Sequence, residues 1–136
     1  MNIKELESAL AETVHLPNYY QAQVLIDKGV VIDSNVPNVD TDVLNKAIDK
    51  YGTSGQIDKS IEEMSELTKA LLKERYARMT PSHLEAIDNV CEELADAVIM
   101  LNQLVLIFTE RYHAFSREDL QKVVNYKLER LRSKLC

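Results

Sequence analysis

The stretch QIDKSIEEMSELTKALLKERYARM, residues Gln56 to Met79, decides the fold. It contains neither Pro nor Gly, and Ile57, Ile61, Met64, Leu67, Leu71 and Leu72 recur at the three- and four-residue intervals of an amphipathic helix. The spacing predicts a helix over about 56–79 with those six side chains turned inward. At about 100° per residue, Glu63 lies at the edge of the apolar stripe beside Leu67, Glu66 about 60° further out, and Glu62 further still.

Working downstream, Thr80-Pro81-Ser82 breaks the chain. The next helix can open in two ways: Ser82 with Glu85 fits a capping box, and Thr80 with Pro81 at the first helical position is an equally good start. That second long helix is expected to reach about Glu110 or Arg111. Ala86, Ala97, Met100, Leu104 and Ile107 all fall within roughly 40° of Glu93 around its axis, so Glu93 interrupts an apolar surface and Asp96 borders it. Ser116 with Asp119 opens a last helix ending near Ser133.

Upstream, Tyr51-Gly52-Thr53-Ser54-Gly55 reads as a turn. Asp40 or Thr41 caps a helix with Val43, Leu44, Ala47 and Ile48 on its inner side. Val30 to Asn38 reads as a loop or extended arm. A short helix stopped by Gly29 is expected over residues 18–28, and another stopped by Pro17 over residues 2–15, where Ile3, Leu6, Leu10 and Val14 stand at helical spacing. The expectation is an all-α helical bundle with its long helices antiparallel to their neighbours. Residues 1–40 form a helical extension or arm and residues 41–136 the main domain, within one compact domain overall.

The composition agrees. In 136 residues there are three Gly, three Pro and no Trp, which favours helix; apolar residues at 46% suffice for a core. A net charge of −6 argues against nucleic acid or an anionic membrane as partner. The longest apolar-rich stretch, Ala97 to Phe108, is broken by Asn102 and Gln103 and is too short for a bilayer. Cys91 and Cys136 form no CxxC pattern, and Cys91 reads as a small buried side chain. Without an apolar leader at Met1 to Glu5, a cytoplasmic protein is the simplest reading.

Chemistry is carried by two acidic strings, Glu62-Glu63-Met64-Ser65-Glu66 and Glu93-Leu94-Ala95-Asp96. Each sets carboxylates three residues apart, on neighbouring points of one helix face, where like charges repel. The triplet around Glu63 taken alone is also what a solvated helix face looks like. Glu93 is harder to explain that way, because an acid among apolar neighbours must be paired, metal-bound or protonated. Two helices with such acids predict a shared cation site, and oxygen donors without Cys or His suit Mg²⁺, or Mn²⁺, rather than zinc.

These strings, E-E-x-x-E followed by E-x-x-D, resemble the motifs of the MazG-like all-α nucleoside triphosphate pyrophosphohydrolases. Tyr51-Gly52 through Gln56-Ile57-Asp58 is similar to that superfamily's approach to its first motif. Asn125-Tyr126-Lys127-Leu128-Glu129-Arg130-Leu131 is similar to a C-terminal N-x-K-F-x-x-R-F string, with Leu at both aromatic positions. The resemblance spans about residues 45–132. It implies Mg²⁺-dependent hydrolysis of the α–β phosphate bond of a nucleoside or deoxynucleoside triphosphate, by metal-activated water, to the monophosphate and pyrophosphate. It further implies Glu63, Glu66, Glu93 and Asp96 as metal ligands, with Glu62 completing the set or acting with Glu63 as the group that orients water. Lys127 and Arg130 would clamp phosphate oxygens, Asn125 would bond a phosphate or a sugar hydroxyl, and Gln56 with Asp58 would face the base. A homodimer or homotetramer is implied as well. Apart from the resemblance, Lys127 and Arg130 also read as cations suited to a helix C-terminus, Asn125 as solvated, and Gln56 and Asp58 as an N-terminal capping turn. Tyr19, Tyr20 and Tyr51 can stack on a base or simply pack. Ile99, Ile107 and Phe115 suit a buried interface between copies.

Two other readings compete. Glu12-Thr13-Val14-His15 and Glu110-Arg111-Tyr112-His113 are Glu-x-x-His strings of the kind that build di-iron carboxylate bundles, but both stand at helix ends. The acids can also belong to a non-catalytic helical oligomer or regulatory protein that binds a divalent metal without turnover.

Overall fold

The computed structural model describes residues 36–136, together with Lys4 and Ser8. The expected helices at 2–15 and 18–28, and with them Glu12, His15, Tyr19 and Tyr20, lie outside the described residues. Among the described residues there are four α-helices and no strand: α1 (Thr41–Tyr51), α2 (Thr53–Ala77), α3 (His83–Leu106) and α4 (Arg117–Leu135). The all-α expectation holds. The chain divides into two compact units, Met1–Leu44 and Asn45–Cys136, with the boundary inside α1.

Asp40 opens α1 as expected, its Oδ1 accepting from the backbone N–H of Asp42 at 3.0 Å and of Val43 at 3.4 Å. Leu44 and Ile48 are buried, whereas Val43, expected on the inner side, is exposed. The anticipated five-residue turn shrinks to one residue. Gly52, at φ 82°, takes the left-handed backbone that lets one helix end and the next begin at once.

Helices α2 and α3 pack along their length as an antiparallel hairpin. Ser60 fixes the register: its Oγ donates to the Gln56 carbonyl at 2.8 Å and lies 3.5 Å from Met100 Sδ on α3. The buried residues of α2 are Gln56, Ser60 and Ala70, and the expected stripe is not among them. Ile61, Met64, Leu71 and Leu72 are exposed. The buried face of α2 is thus turned roughly 70° from the face that hydrophobicity alone selects. The cause is close approach, since Ser60 and Ala70 let the backbones come together where Met64 and Leu71 would hold them apart.

The hairpin tip is tied by polar contacts. Met79 adopts φ 63°, and Thr80 Oγ1 donates back to the Ala77 carbonyl. Ser82 makes no side-chain cap, so the Ser82–Glu85 capping box does not form. The carboxylate of Glu74 instead accepts from Arg78 Nε at 2.8 Å and Nη2 at 3.1 Å, and lies 3.1 Å from His83 Nε2. These bonds, that from Arg78 foremost, hold the Glu74 carboxyl down to about 2.

After Leu106 the helix widens into a π-helical turn, Ile107–Arg111, with the Tyr112 N–H donating to the Ile107 carbonyl at 2.8 Å. Ile107 is 0% exposed, so it is a core residue and not the interface residue the sequence suggested; Ile99 and Phe115 are exposed. The turn aims Arg111 at α1, where Nη1 donates to Asp49 Oδ1 at 2.7 Å and Nη2 to Asn45 Oδ1 at 3.2 Å. Cys91, expected to be buried, is exposed, because it points away from the α2-facing side of α3. The Ser116–Asp119 capping box of α4 forms as expected, with reciprocal bonds of 3.0 and 3.2 Å. No residue of α4 is buried. No helix among the described residues is long and apolar enough to cross a membrane.

Candidate functional site

The register set by Ser60 and Met100 carries the two acidic strings to the same level of the hairpin. One turn beyond Ser60 stands Glu63, and one turn before Met100 stands Asp96, with Glu93 one turn further. Ligand oxygens of Glu63, Glu93 and Asp96 lie within 4.8 Å of one another, two from α3 and one from α2. Glu63 and Glu93 are partly buried, Glu63 to a side-chain exposure of 12%, and Asp96 is exposed. Three of the four expected ligands are therefore gathered. Glu66 stands beside them near enough to act on Glu93, but its Oε1 accepts from Lys69 Nζ at 2.9 Å and it is not part of the compact triplet.

The electrostatics record the crowding. Partial burial, and then the charges of Asp96, Glu66, Glu63 and Glu92, push the Glu93 carboxyl above its ordinary value. Glu62, Glu63 and Glu66 on α2 each form an ion pair with a lysine, and among the described residues Glu93 and Asp96 on α3 form none. Lys59 Nζ sits 2.6 Å from Glu63 Oε1 and 3.4 Å from Glu62 Oε1, and the bond to Glu63 raises the lysine. Lys69 draws the Glu66 carboxyl down through its hydrogen bond. These two lysines were legible in principle, because Lys59–Glu63 and Glu66–Lys69 stand at i,i+4 and i,i+3 on one helix.

The donor set fits a hard divalent cation. It is all oxygen, drawn from two rigid helices, and no His or Cys belongs to it. Glu63, Glu93 and Asp96 would hold a Mg²⁺ or Mn²⁺ ion, with Glu66 adjacent. Such an ion would neutralise a polyphosphate in a pocket that otherwise repels it and would lower the pKa of a bound water.

The remaining expected residues fall elsewhere. Glu62 is exposed, away from the triplet, and held by Lys59, which does not suit it to orient water at the cluster. Gln56 is buried on the α3-facing side of α2, two turns from Glu63, and its carbonyl is taken up by Ser60. Asp58 and Tyr51 are exposed. Lys127, Arg130 and Asn125 are exposed on α4, and Asn125 Oδ1 accepts from Gln121 at 2.9 Å. Neither Lys127 nor Arg130 forms an ion pair with the acids, among the described residues. The Glu-x-x-His reading also loses its geometry at the described string: Glu110 pairs with Arg117, while His113, at φ 50°, stands outside the helix.

Sequence reasoning missed a polar layer below the acids. Gln103 is 2% exposed with its Oε1 unpartnered, in the same seam as Ser60, Gln56 and Met100. Its signal was present, since Gln103 stands seven residues from Asp96 and shares its strip of α3. Compared with protein-family models, curated proteins and solved structures, the chain matches none.

Proposed function

We propose that the chain is a divalent-metal-dependent nucleoside triphosphate pyrophosphohydrolase of the MazG-like type, cleaving the α–β phosphate bond to give a monophosphate and pyrophosphate. The observation that carries this reading is the meeting of Glu63 with Glu93 and Asp96, ligand atoms within 4.8 Å, from two strings that resemble the motifs of that superfamily. Glu63, Glu93 and Asp96 hold the cation, and Glu66, one turn from Glu63 and already paired to a mobile-headed lysine, joins when charge demands it. Lys59 and Lys69 keep the α2 carboxylates compensated while the site carries no metal, and their released ammonium groups are placed to meet phosphate oxygens. Partial burial of Glu63 and Glu93 strengthens every charge interaction in the cleft. The working unit is a homodimer or homotetramer of a cytoplasmic protein, in keeping with the apolar side chains that α2 and α4 leave uncovered.

The test is pyrophosphate release from a panel of ribo- and deoxyribonucleoside triphosphates, with and without Mg²⁺. Turnover is expected only with metal, and Glu63→Gln, Glu93→Gln and Asp96→Asn should each abolish it while leaving the helical circular dichroism intact. Turnover that survives all three changes would rule out the site. Metal binding without turnover on any triphosphate would leave the chain a metal-binding helical protein.

A further inference from the structure

The groove that holds the acids continues toward the hairpin tip, and there it opens into a cavity of about 650 Å³. Its walls come from both helices: Lys73, Tyr76 and Ala77 on α2, Glu85, Ala86 and Asn89 on α3. The volume falls in the range of small-molecule sites, and the lining sets Tyr76, Ala77 and Ala86 among the polar side chains of Lys73, Thr80, Ser82, Glu85 and Asn89. Helical geometry makes cavity and acids one groove. Lys73 is seven residues from Glu66 and Asn89 seven from Asp96, which puts each within roughly 20° of its acid around its own axis, about 10.5 Å along it. Between them stands Lys69, close enough to both strings to feel Glu66 and Glu93, while the charge of Lys73 reaches Glu66. Along the groove the order is carboxylates, Lys69, Lys73, then the cavity.

We infer that this cavity takes the nucleoside end of the substrate, resting on the hydrolase reading of the acids. A triphosphate whose outer phosphates lie on the metal-holding carboxylates would bring its α-phosphate to Lys69 and Lys73, and its sugar and base over Ala77 and Ala86. Tyr76, exposed on the rim, offers a face for stacking. The Asn89 amide, both donor and acceptor, reads the edge of the heterocycle or a sugar hydroxyl. The opposite end of the seam is a poorer candidate, since Gln103 is buried there together with Met100, Leu106 and Ile107.

The chain is titrated in Mg²⁺ with inorganic tripolyphosphate and with α,β-methylene nucleoside triphosphates, and amide and side-chain NMR shifts are followed. Tripolyphosphate should move the resonances of Glu63, Glu66, Glu93 and Asp96 and leave those of Tyr76 and Asn89 in place, and the nucleotide should move all six. In turnover, Tyr76→Ala should raise KM about tenfold with kcat little changed, the loss expected for one stacked base. Asn89→Ala should change the preference among bases and leave Mn²⁺ affinity as it was. Nucleotide shifts that reach the acids but bypass Tyr76 and Asn89, or a Tyr76→Ala enzyme with unaltered KM, would overturn the cavity assignment and leave the hydrolase standing. Acids that respond to neither compound would overturn the hydrolase reading, and the cavity assignment with it.

Discussion

At the scale of single residues, the chain keeps several side chains where folding alone would not put them. Glu93 sits partly buried among like charges with its carboxyl pushed above the usual range. For an acid so shifted, the cost to the fold is present at pH above the unfolded value and is relieved as pH falls and the group takes its proton. Two outcomes follow. Glu93→Gln should melt higher than the parent in metal-free buffer at neutral pH, and differential scanning calorimetry should show that added Mg²⁺ no longer raises its melting temperature. Mg²⁺ affinity of the parent, measured by isothermal titration calorimetry, should weaken as pH is lowered into Glu93's raised range, because protons and metal compete for the same oxygens. Gln103 makes the same point without charge. Its buried, unpartnered Oε1 carries a penalty of about 1–3 kcal/mol, so Gln103→Met should stabilise the chain against urea by a good part of that figure.

At the scale of the element, the α2–α3 hairpin is closed by Glu74, Arg78 and His83, and strained at Met79. Glu74 is held down to about 2, so its contribution is present above its ordinary value of 4.5 and is lost as pH falls from there through about 2. Glu74→Gln should therefore flatten the acid limb of the stability curve followed by circular dichroism, with little change in its shape above pH 4.5. Met79→Gly should stabilise by up to about 1 kcal/mol, since the left-handed backbone suits glycine and the methionine side chain is exposed. This is also the scale at which the sequence was most and least readable. The all-α class, the approximate course of the long helices and the Ser116–Asp119 box followed from periodicity and capping chemistry, which are local, whereas the start of α2 at Thr53 and the uncapped start of α3 did not. The facing of α2 was misread because periodicity marks a broad apolar sector, and what turns inward within it depends on how closely a neighbour approaches. Ser60 and Ala70 decided that, and no window of α2 alone contains Met100. The acids were found because their repulsion is local, whereas Gln103 was read only as an interruption of the apolar stretch from Ala97 to Phe108, because which strip of α3 is buried depends on α2.

At the scale of the whole molecule, the described helices leave much apolar surface without cover. Ile61, Met64, Leu71 and Leu72 on α2 are exposed, and Leu120, Val124, Leu128, Leu131 and Leu135 fall on one side of α4, which buries nothing. Sedimentation velocity should report a dimer or larger species, and Leu71→Glu combined with Leu72→Glu should shift it to the monomer without loss of helicity. The cation site draws all three gathered carboxylates from a single hairpin, so such a monomer is expected to retain Mn²⁺ binding. The π-helical turn at Ile107–Arg111 bears on how this architecture tolerates change in length. A five-residue turn is an α-turn carrying one residue too many. Removing a single residue between Phe108 and Glu110 would let the helix run on in ordinary winding with the guanidinium of Arg111 still directed at Asp49 and Asn45, because five residues of π-winding and four of α-winding each close about one turn. The surplus residue thus works as a shim, and a chain with one residue removed there should keep its helicity and the tie from Arg111 to α1.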